Sequence, residues 1–223
     1  MIIFKKLTSD KPVIEYIVQQ IKARLEKNQI VLWLVAGGSA MDVALKVSDG
    51  LKGSPNHDKL AITLTDERYG PVGHADSNWR QLEEKLFSVD GARMLPVLES
   101  KSLEETATDY SDFLQKEIDN AEFSIALAGM GADGHIFGIK PGSPAIDSQL
   151  DVQGYEWDDY VRLTPTLKLL KNLDETVMYV VGDEKHSQID DLAKDLPANV
   201  QPAQQLKQFK NVIFFNDYKG EPT

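Results

Sequence analysis

Short runs of consecutive apolar residues recur along the chain and alternate with stretches whose apolar residues are three or four positions apart. A continuous apolar run of about five residues is typical of a strand that is buried on both faces. The clearest runs lie at residues 30–36, 60–65 and 123–128. Shorter or more polar runs predict further strands at 93–97, 176–181 and 212–215.

The stretches between these runs have the periodicity of amphipathic helices. Val13, Ile17 and Ile21 recur at every fourth position, and the pattern predicts a helix over 13–28. The same reasoning predicts helices over 41–51, 78–87, 103–118, 164–173 and 187–194. Ser77 precedes one of them and is a candidate N-cap, because its hydroxyl can accept a hydrogen bond from a free backbone N–H.

The alternation of buried strands with helices predicts an α/β fold with a mainly parallel sheet. No low-complexity tract or linker interrupts the 223 residues, so we expect a single domain over 1–223. In such sheets, ligands bind beyond the carboxyl ends of the strands. The loops that follow residues 36, 65, 128 and 181 are therefore the candidates for a functional site.

The composition narrows the classes of function. The chain has 24 Lys and Arg residues against 35 Asp and Glu, a net charge of -11, and no basic run of the kind that binds nucleic acid. It has no cysteine, which excludes thiolate chemistry, disulfides and cysteine-ligated metals. The longest apolar run is too short to span a bilayer, and the N-terminal residues lack the order of a signal peptide. We therefore expect a cytoplasmic protein without a nucleic-acid or membrane partner.

The first and fourth candidate loops carry groups that suit an anion. Gly37, Gly38 and Ser39 connect a strand to a helix, where free backbone N–H groups and the helix dipole favour a phosphate. The segment lacks the Lys-Ser/Thr ending of a P-loop, and a tight turn capped by Ser39 is an equally good interpretation. Lys185 follows the predicted strand 176–181 and is a candidate cation for an anionic substrate. The alternative for this lysine is a solvated helix start.

The second loop places charged residues directly after a buried strand. Arg68 could hold a phosphate or carboxylate, and Asp66 could orient a base or contact a hydroxyl. The alternative is a surface network of acids and arginine around the turn at Gly70 and Pro71. We favour that structural role for Glu67 and a functional role for Arg68.

The third loop is the most informative of the four. Residues 129–144 contain five glycines and two prolines, which predict an irregular loop with unusual backbone angles. Asp133 and His135 lie two positions apart within it, and a histidine beside a carboxylate can act as a general base. A turn does not require this combination, so we favour catalysis over a structural role. The other histidines are expected to be structural, and no group of residues has metal-ligand spacing.

Taken together, these loops resemble the 6-phosphogluconolactonases. AGGSAMDVA at 36–44 is similar to their phosphate-loop motif SGGSTP, and TDERYGPVGHADSNW at 65–79 resembles their DER…D-x-SN segment. GMGADGHIFGIKPGSPAI at 129–146 is similar to GMGPDGHTASLFPGSPAL, without a change in length. Later family motifs are matched by VRLTPTL at 161–167, VVGDEK at 180–185 and LPA at 196–198. On these motifs the chain is identified as a member of the wider group that includes glucosamine-6-phosphate isomerase/deaminase.

The resemblance implies a Rossmann-like three-layer α/β sandwich. It implies hydrolysis of 6-phosphoglucono-δ-lactone in the pentose phosphate pathway, without a covalent intermediate, a metal or an organic cofactor. His135 would be the base that activates water, Asp133 would support it, and Arg68 would hold the substrate's charge or the developing oxyanion. The phosphate would be held by Gly37, Gly38, Ser39 and Lys185. A monomer that binds a small sugar phosphate is expected.

The chain departs from the family motifs at two places. Its first motif lacks the leading Ser, the Thr and the Pro of the family pattern, and residues 136–140 read Ile-Phe-Gly-Ile-Lys in place of Thr-Ala-Ser-Leu-Phe. Lys140 is therefore a candidate substrate contact, and otherwise a solvated residue. One alternative function is that of the deaminases, whose DGHIAFNEP loop has Glu where this chain has Lys140; another is a sugar-phosphate sensor without activity. DER in place of the deaminases' DEY favours the lactonase, whereas Ile136 matches the deaminases better.

Overall fold

The structure is a computed structural model that describes residues 2–223. The strands are β1 (Ile2–Lys6), β2 (Val31–Val35), β3 (Leu60–Leu64), β4 (Glu67–Arg68), β5 (Arg93–Met94), β6 (Phe123–Ala128), β7 (Val152–Glu156), β8 (Val161–Pro165), β9 (Glu175–Val180), β10 (Val212–Asn216) and β11 (Glu221–Pro222). The α-helices are α1 (Lys11–Leu25), α2 (Met41–Leu51), α3 (Asn78–Glu84), α4 (Leu103–Asn120), α5 (Leu167–Leu170) and α6 (His186–Asp191). Short 3₁₀ turns precede α2 and α6, at Gly38–Ala40 and Asp183–Lys185.

Eight of these strands form one central sheet in the order β11-β1-β10-β9-β6-β2-β3-β5. Every described pairing within it is parallel. β2, β3 and β6 are buried along their full length, as their continuous apolar sequences require. Trp33, in the middle of β2, is fully buried and meets Phe87 edge-on at a centroid distance of 5.6 Å. The predicted α/β fold with a mainly parallel sheet is confirmed.

The strand order shows where the chain begins to add strands on the opposite side of β2. From β2 the chain proceeds through β3 to β5 at one edge, and it then returns to β6 on the other side of β2. Because parallel crossovers are right-handed, this reversal places α4 on the face opposite to α1 and α2. The helices α1 and α2 pack against each other, while α4 packs against β7 and β8. The result is the expected three-layer arrangement, with a crevice at the carboxyl ends of β2 and β6 where ligands bind in open α/β sheets.

A second sheet, which the sequence pattern does not predict, consists of β4, β8 and β7 in antiparallel pairing. The helix predicted over 164–173 is wrong in its first part, because Thr164 and Pro165 end β8 and the helix α5 begins only at Leu167. Pairing with β7 overrides the local helical spacing there. The Thr164 hydroxyl donates a hydrogen bond to the carbonyl of Phe137, so this small sheet supports the loop that follows β6.

Most of the other predicted elements form close to their expected bounds. α2 and β6 have the predicted limits, and Ser77 caps α3 by accepting the backbone N–H of Arg80 at 3.1 Å. β1 is not predicted from the local pattern, because its partner β10 lies near the other end of the chain. Among residues 2–223, no helix combines the length and the apolar character that crossing a bilayer requires.

Candidate active site

The four candidate loops meet at one cavity of about 270 Å³, at the carboxyl ends of β2, β3, β6 and β9. Eight of the nine residues singled out in the sequence line this cavity: Gly37, Gly38, Ser39, Asp66, Arg68, His135, Lys140 and Lys185. The ninth, Asp133, forms hydrogen bonds with two of them. Residues that are scattered over four loops of the sequence are therefore neighbours in the fold.

Asp133 and His135 form a close pair in the loop after β6. His135 Nδ1 lies 2.5 Å from Asp133 Oδ1, and the same oxygen accepts the His135 backbone N–H at 3.2 Å. A Cβ at position 131 would overlap both side chains, so Gly131 leaves the space that the pair occupies. With a proton on Nδ1 directed at the carboxylate, Nε2 is the nitrogen that can accept a proton, and it has no hydrogen bond to a described residue.

The second oxygen of Asp133 is held by Lys140. Lys140 Nζ lies 3.1 Å from Asp133 Oδ2, and 13 % of the lysine side chain is exposed. Desolvation acts to raise the pKa of Asp133, but the bonds and charge of His135, together with Lys140, outweigh it and hold that pKa well below its usual range. Asp133 is therefore a carboxylate at neutral pH, with one oxygen on the histidine and the other on the lysine.

The loop at residues 37–39 leads from β2 into α2. Gly38 has a φ of +65°, a conformation that favours glycine. Gly37 packs so closely against the side-chain amide of Asn78 that a Cβ would overlap it. The buried Oδ1 of Asn78 has no hydrogen-bond partner among residues 2–223. With Ser39 exposed, this strand-to-helix turn is accessible to an anion.

Two arginines flank the ring of Tyr160 at the cavity. The Cζ of Arg68 lies 4.3 Å from the ring centroid, and the Cζ of Arg162 lies 5.6 Å from it. Arg162 is buried and donates NH2 to both oxygens of Asp159, at 2.8 and 3.0 Å. Arg68 instead donates NH1 to the backbone carbonyl of Asp76 at 3.2 Å. The two guanidinium groups thus differ: that of Arg162 is neutralised by a carboxylate, whereas that of Arg68 meets none in the described part of the chain.

Four cationic side chains line the cavity, and they fall into two classes. Lys140 and Arg162 form ion pairs with aspartates. Arg68 and Lys185 also line the cavity but form no ion pair within the described part of the chain. A cation of the second class can bind a phosphate or an oxyanion without first leaving a carboxylate.

Glu67 is buried rather than part of the expected surface network. Its carboxylate accepts the backbone N–H groups of Arg68 and Asn78, each at 2.6 Å, and that of Trp79 at 3.1 Å. The Ser77 hydroxyl donates to it at 2.9 Å. Burial raises the pKa of the Glu67 carboxyl, while these four donors act to lower it. The structure therefore gives Glu67 a structural role, but as an internal anchor for the start of α3.

Four further lining residues with polar or charged side chains escaped the sequence reasoning: Asn78, Asp159, Tyr160 and Arg162. The VRLTPTL motif contains Arg162, but no local pattern gives that residue a role. Asp159 and Tyr160 lie in the hairpin between β7 and β8, which the sequence pattern does not predict. Pairing of β8 with β4 brings this hairpin to the cavity.

One cluster outside the cavity has groups that could ligate a metal. Asp183, His186 and Asp217 each place one ligand atom within 4.8 Å of the others. His186 Nε2 already pairs with Asp217 Oδ1 at 3.1 Å, and the imidazole stacks on Tyr218. The Asp183 side chain is fully exposed. We assign no ion to this cluster, and the absence of a metal stays a prediction from the sequence.

Similarity to known proteins covers nearly the whole chain. The sequence profile of the family described as glucosamine-6-phosphate isomerases/6-phosphogluconolactonase matches residues 8–214. The chain belongs to this family. It is 26 % identical over 208 residues to a protein named probable 6-phosphogluconolactonase 1 from Arabidopsis thaliana, covering 82 % of this chain and 76 % of that protein. It is also 26 % identical over 214 residues to the 6-phosphogluconolactonase of Thermotoga maritima, covering 91 % and 93 % of the two chains.

A comparison of three-dimensional structures gives the same fold as the sequence similarity. The crystal structure of a 6-phosphogluconolactonase from Shewanella baltica matches with a TM-score of 0.80 at 20 % identity, covering 97 % of this chain and 98 % of that one. The family's description names both isomerases and a lactonase. Membership in the family therefore establishes the fold but not whether the reaction is that of the isomerases or that of the lactonase. The choice between these two reactions depends on the side chains that line the cavity.

Proposed function

We propose that this chain hydrolyses 6-phosphoglucono-δ-lactone to 6-phosphogluconate. The observation that carries the proposal is the Asp133–His135 pair, at 2.5 Å, beside a cavity with two cations, Arg68 and Lys185, that have no carboxylate partner among residues 2–223. Opening a phosphorylated lactone requires a base for water, a group that stabilises the oxyanion, and a site for the phosphate. The names of the two relatives described above support the same reaction.

In this proposal His135 is the general base. Its Nε2 takes a proton from water while the water oxygen bonds to the lactone carbonyl carbon, which gives a tetrahedral intermediate. Collapse of the intermediate breaks the bond between that carbon and the ring oxygen, and the proton on Nε2 passes to the departing oxygen. Asp133 accepts the Nδ1–H, orients the ring and stabilises the imidazolium. One lactone and one water thus give one hydroxy acid, without a covalent intermediate.

The charged and polar groups of the cavity then have separate roles. Arg68, stacked on Tyr160, stabilises the oxyanion or the charge of the substrate. Lys185 and the turn at 37–39 bind the phosphate, and Asp66 contacts a sugar hydroxyl. Holding the phosphate away from the reacting carbonyl keeps the lactone in register with the base.

The second candidate is deamination of glucosamine 6-phosphate, which Ile136 favours. The resemblance assigns ring opening in the deaminases to a Glu at the position of Lys140. In this chain that position carries a lysine bonded to Asp133, which cannot serve as the carboxylate of such a mechanism. We therefore favour lactone hydrolysis. The intact Asp133–His135 pair likewise argues against a sensor without activity.

The test is an assay of δ-lactone opening with freshly prepared 6-phosphoglucono-δ-lactone, corrected for spontaneous hydrolysis. We expect catalysis by the purified chain and its loss by about 10²–10⁴-fold in His135→Ala. His57→Gln is the matched control, because His57 bonds to the backbone carbonyls of Asp90 and Leu51 and does not line the cavity. An inactive wild type that binds 6-phosphogluconate would favour the sensor, and ammonia release from glucosamine 6-phosphate would favour the deaminase.

Other properties of the chain remain part of the proposal. We take residues 1–223 to act as a single domain, because β1 and β10 pair although they lie near opposite ends of the chain. A cytoplasmic location, a monomeric state and independence of a cofactor stay predictions from the sequence. Light scattering coupled to size exclusion tests the monomer, and assay after treatment with chelator tests the independence of metal.

A further inference from the structure

Lys140 stands where the family motif quoted above has Phe, and it is the cavity lysine most enclosed by acids. Its Nζ lies 3.1 Å from Asp133 Oδ2 and 4.0 Å from Asp159 Oδ2. A lysine in this position would have to leave a partly buried ion pair before it could bind a phosphate, which is costly. Lys185, by contrast, lines the same cavity without an ion pair to a described residue.

Lys140 is one link in a row of alternating charges that ends at the imidazole. Arg162 donates two hydrogen bonds to Asp159, whose Oδ2 lies 4.0 Å from Lys140. Lys140 bonds to Asp133, and Asp133 bonds to His135. Desolvation acts to raise the pKa of Asp159, but Arg162 and Lys140 hold it below its usual range, so both aspartates in the row are charged at neutral pH. The row starts in β8, where Arg162 is only 5 % exposed.

The backbone of Lys140 is fixed independently of any ligand. Its N–H donates to the Tyr155 hydroxyl at 3.3 Å, and that hydroxyl donates to the carbonyl of Gly138. The Lys140 carbonyl accepts the N–H of Ser143 at 3.0 Å. The side chain therefore leaves the loop from a position set by β7 and by the turn that follows, and it reaches Asp133 from there.

We propose that Lys140 is a positioning residue for the Asp133–His135 pair rather than a phosphate ligand. By holding Oδ2 of Asp133, it directs Oδ1 at the imidazole and keeps the proton on Nδ1, with Nε2 free to accept one. Without the lysine, the Asp133 carboxylate can rotate and both imidazole tautomers become accessible. The kinetic test of this role depends on the proposed lactone hydrolysis, whereas the NMR test does not.

The kinetic test uses Lys140→Met, which removes the charge and keeps most of the side-chain length. We expect kcat to fall by about tenfold, because the imidazole then spends less time in the tautomer whose Nε2 can accept a proton. KM and the inhibition constant of inorganic phosphate should change by less than about twofold. Lys140→Arg should restore kcat. Lys185→Met is the matched control, because loss of a phosphate ligand should raise KM more than it lowers kcat.

The test that does not need activity follows the imidazole nitrogens of His135 by ¹⁵N NMR, assigned with His135→Gln. The wild type should show a proton on Nδ1, and Lys140→Met should show mixed tautomers. Lys168→Met is the control, because Lys168 pairs with Asp151 at 2.8 Å outside the cavity and should leave the His135 signals unchanged.

Two results would overturn the positioning role. One is a Lys140→Met protein in which His135 keeps the wild-type tautomer. The other is a large rise in KM with an unchanged kcat, which would make Lys140 a phosphate ligand. If the wild type does not hydrolyse the lactone, the proposed function fails, and the NMR measurement of the tautomer still decides the role of Lys140.

Discussion

Glu67→Gln tests how the loop after β3 is anchored. Oε1 of Glu67 accepts the backbone N–H groups of Arg68 and Asn78, each at 2.6 Å. Oε2 accepts the Trp79 N–H at 3.1 Å and the Ser77 hydroxyl at 2.9 Å. Glutamine has nearly the same shape but presents an NH₂ group at one of its two ends. Either orientation therefore brings an N–H donor against donors that are already in place.

The cost follows from the number of donors that lose their acceptor. With the amide nitrogen in the place of Oε2, the Ser77 hydroxyl can turn to accept, and the Trp79 N–H is left unpaired. With the nitrogen in the place of Oε1, two backbone N–H groups are left unpaired. Each unsatisfied buried donor costs about 1–3 kcal/mol, and bonds to a neutral acceptor are weaker than bonds to a carboxylate. We expect a total loss of about 2–4 kcal/mol, which lowers the Tm of a chain of this size by roughly 10 °C.

Thermal unfolding followed by circular dichroism measures this loss, and urea titration gives the change in the free energy of unfolding. Glu84→Gln is the matched control, because the same substitution on α3 removes an ion pair with Arg80 in which 56 % of the Glu84 side chain is exposed. Such a pair contributes about 0–1 kcal/mol. A Glu67→Gln protein with the Tm of the Glu84→Gln control would refute the anchoring role of the four hydrogen bonds.

Two further predictions concern the third loop and the acid limit of stability. Gly138 and Gly142 both have a φ of +73°, so alanine at either position should destabilise the fold by about 1–2 kcal/mol. At position 138 the new Cβ would lie 2.7 Å from Asp66 Oδ2, whereas at position 142 it would meet no atom within 4 Å. We therefore expect kcat/KM for the lactone to fall in Gly138→Ala and not in Gly142→Ala. Equal losses of kcat/KM in the two variants would contradict this expectation. Asp133 and Asp159 have lowered pKa values in the fold, so their contribution to stability is present above the unfolded-state pKa of about 4 and is lost as pH falls through the folded-state values. Urea titrations should show that the free energy of unfolding of the wild type falls below about pH 4. The fall should be smaller in Asp133→Asn, and an equal fall in the two proteins would contradict the contribution of Asp133.

The parallel core could be predicted from the sequence because strands buried on both faces leave a continuous apolar signal. Residues 31–35, 60–64 and 123–128 show it, and all three are buried along their length. The hairpin of β7 and β8 gives no such signal. Its strands contain Gly154 and Arg162, and their partners are set by pairing across the small sheet rather than by local periodicity. The same tertiary pairing explains why the helix predicted from residue 164 begins only at Leu167.

The contact between Asp133 and His135 could be predicted from the sequence because the two residues share one loop and the loop follows a strand. The contact between Lys140 and Asp133 could not be predicted. The backbone between these two residues has positive φ values at Gly134, Phe137 and Gly138 and follows no regular spacing. An irregular loop does not reveal in its sequence which of its side chains face each other. Asn78 and Tyr160 were missed for a related reason, because their place in the cavity depends on contacts with other loops.

The ionic groups of the cavity divide into those that hold the site together and those that remain for a ligand. Lys140 forms an ion pair with Asp133 and Arg162 forms one with Asp159, whereas Arg68 and Lys185 have no carboxylate partner among residues 2–223. The chain as a whole carries a net charge of -11, which disfavours an anionic ligand at long range. That repulsion is screened over about 8–10 Å at physiological salt, so the potential at the cavity depends on which nearby charges are paired. The proposed sugar-phosphate site is therefore compatible with an acidic protein, because Asp133 and Asp159 are paired with cations while Arg68 and Lys185 have no carboxylate partner among residues 2–223.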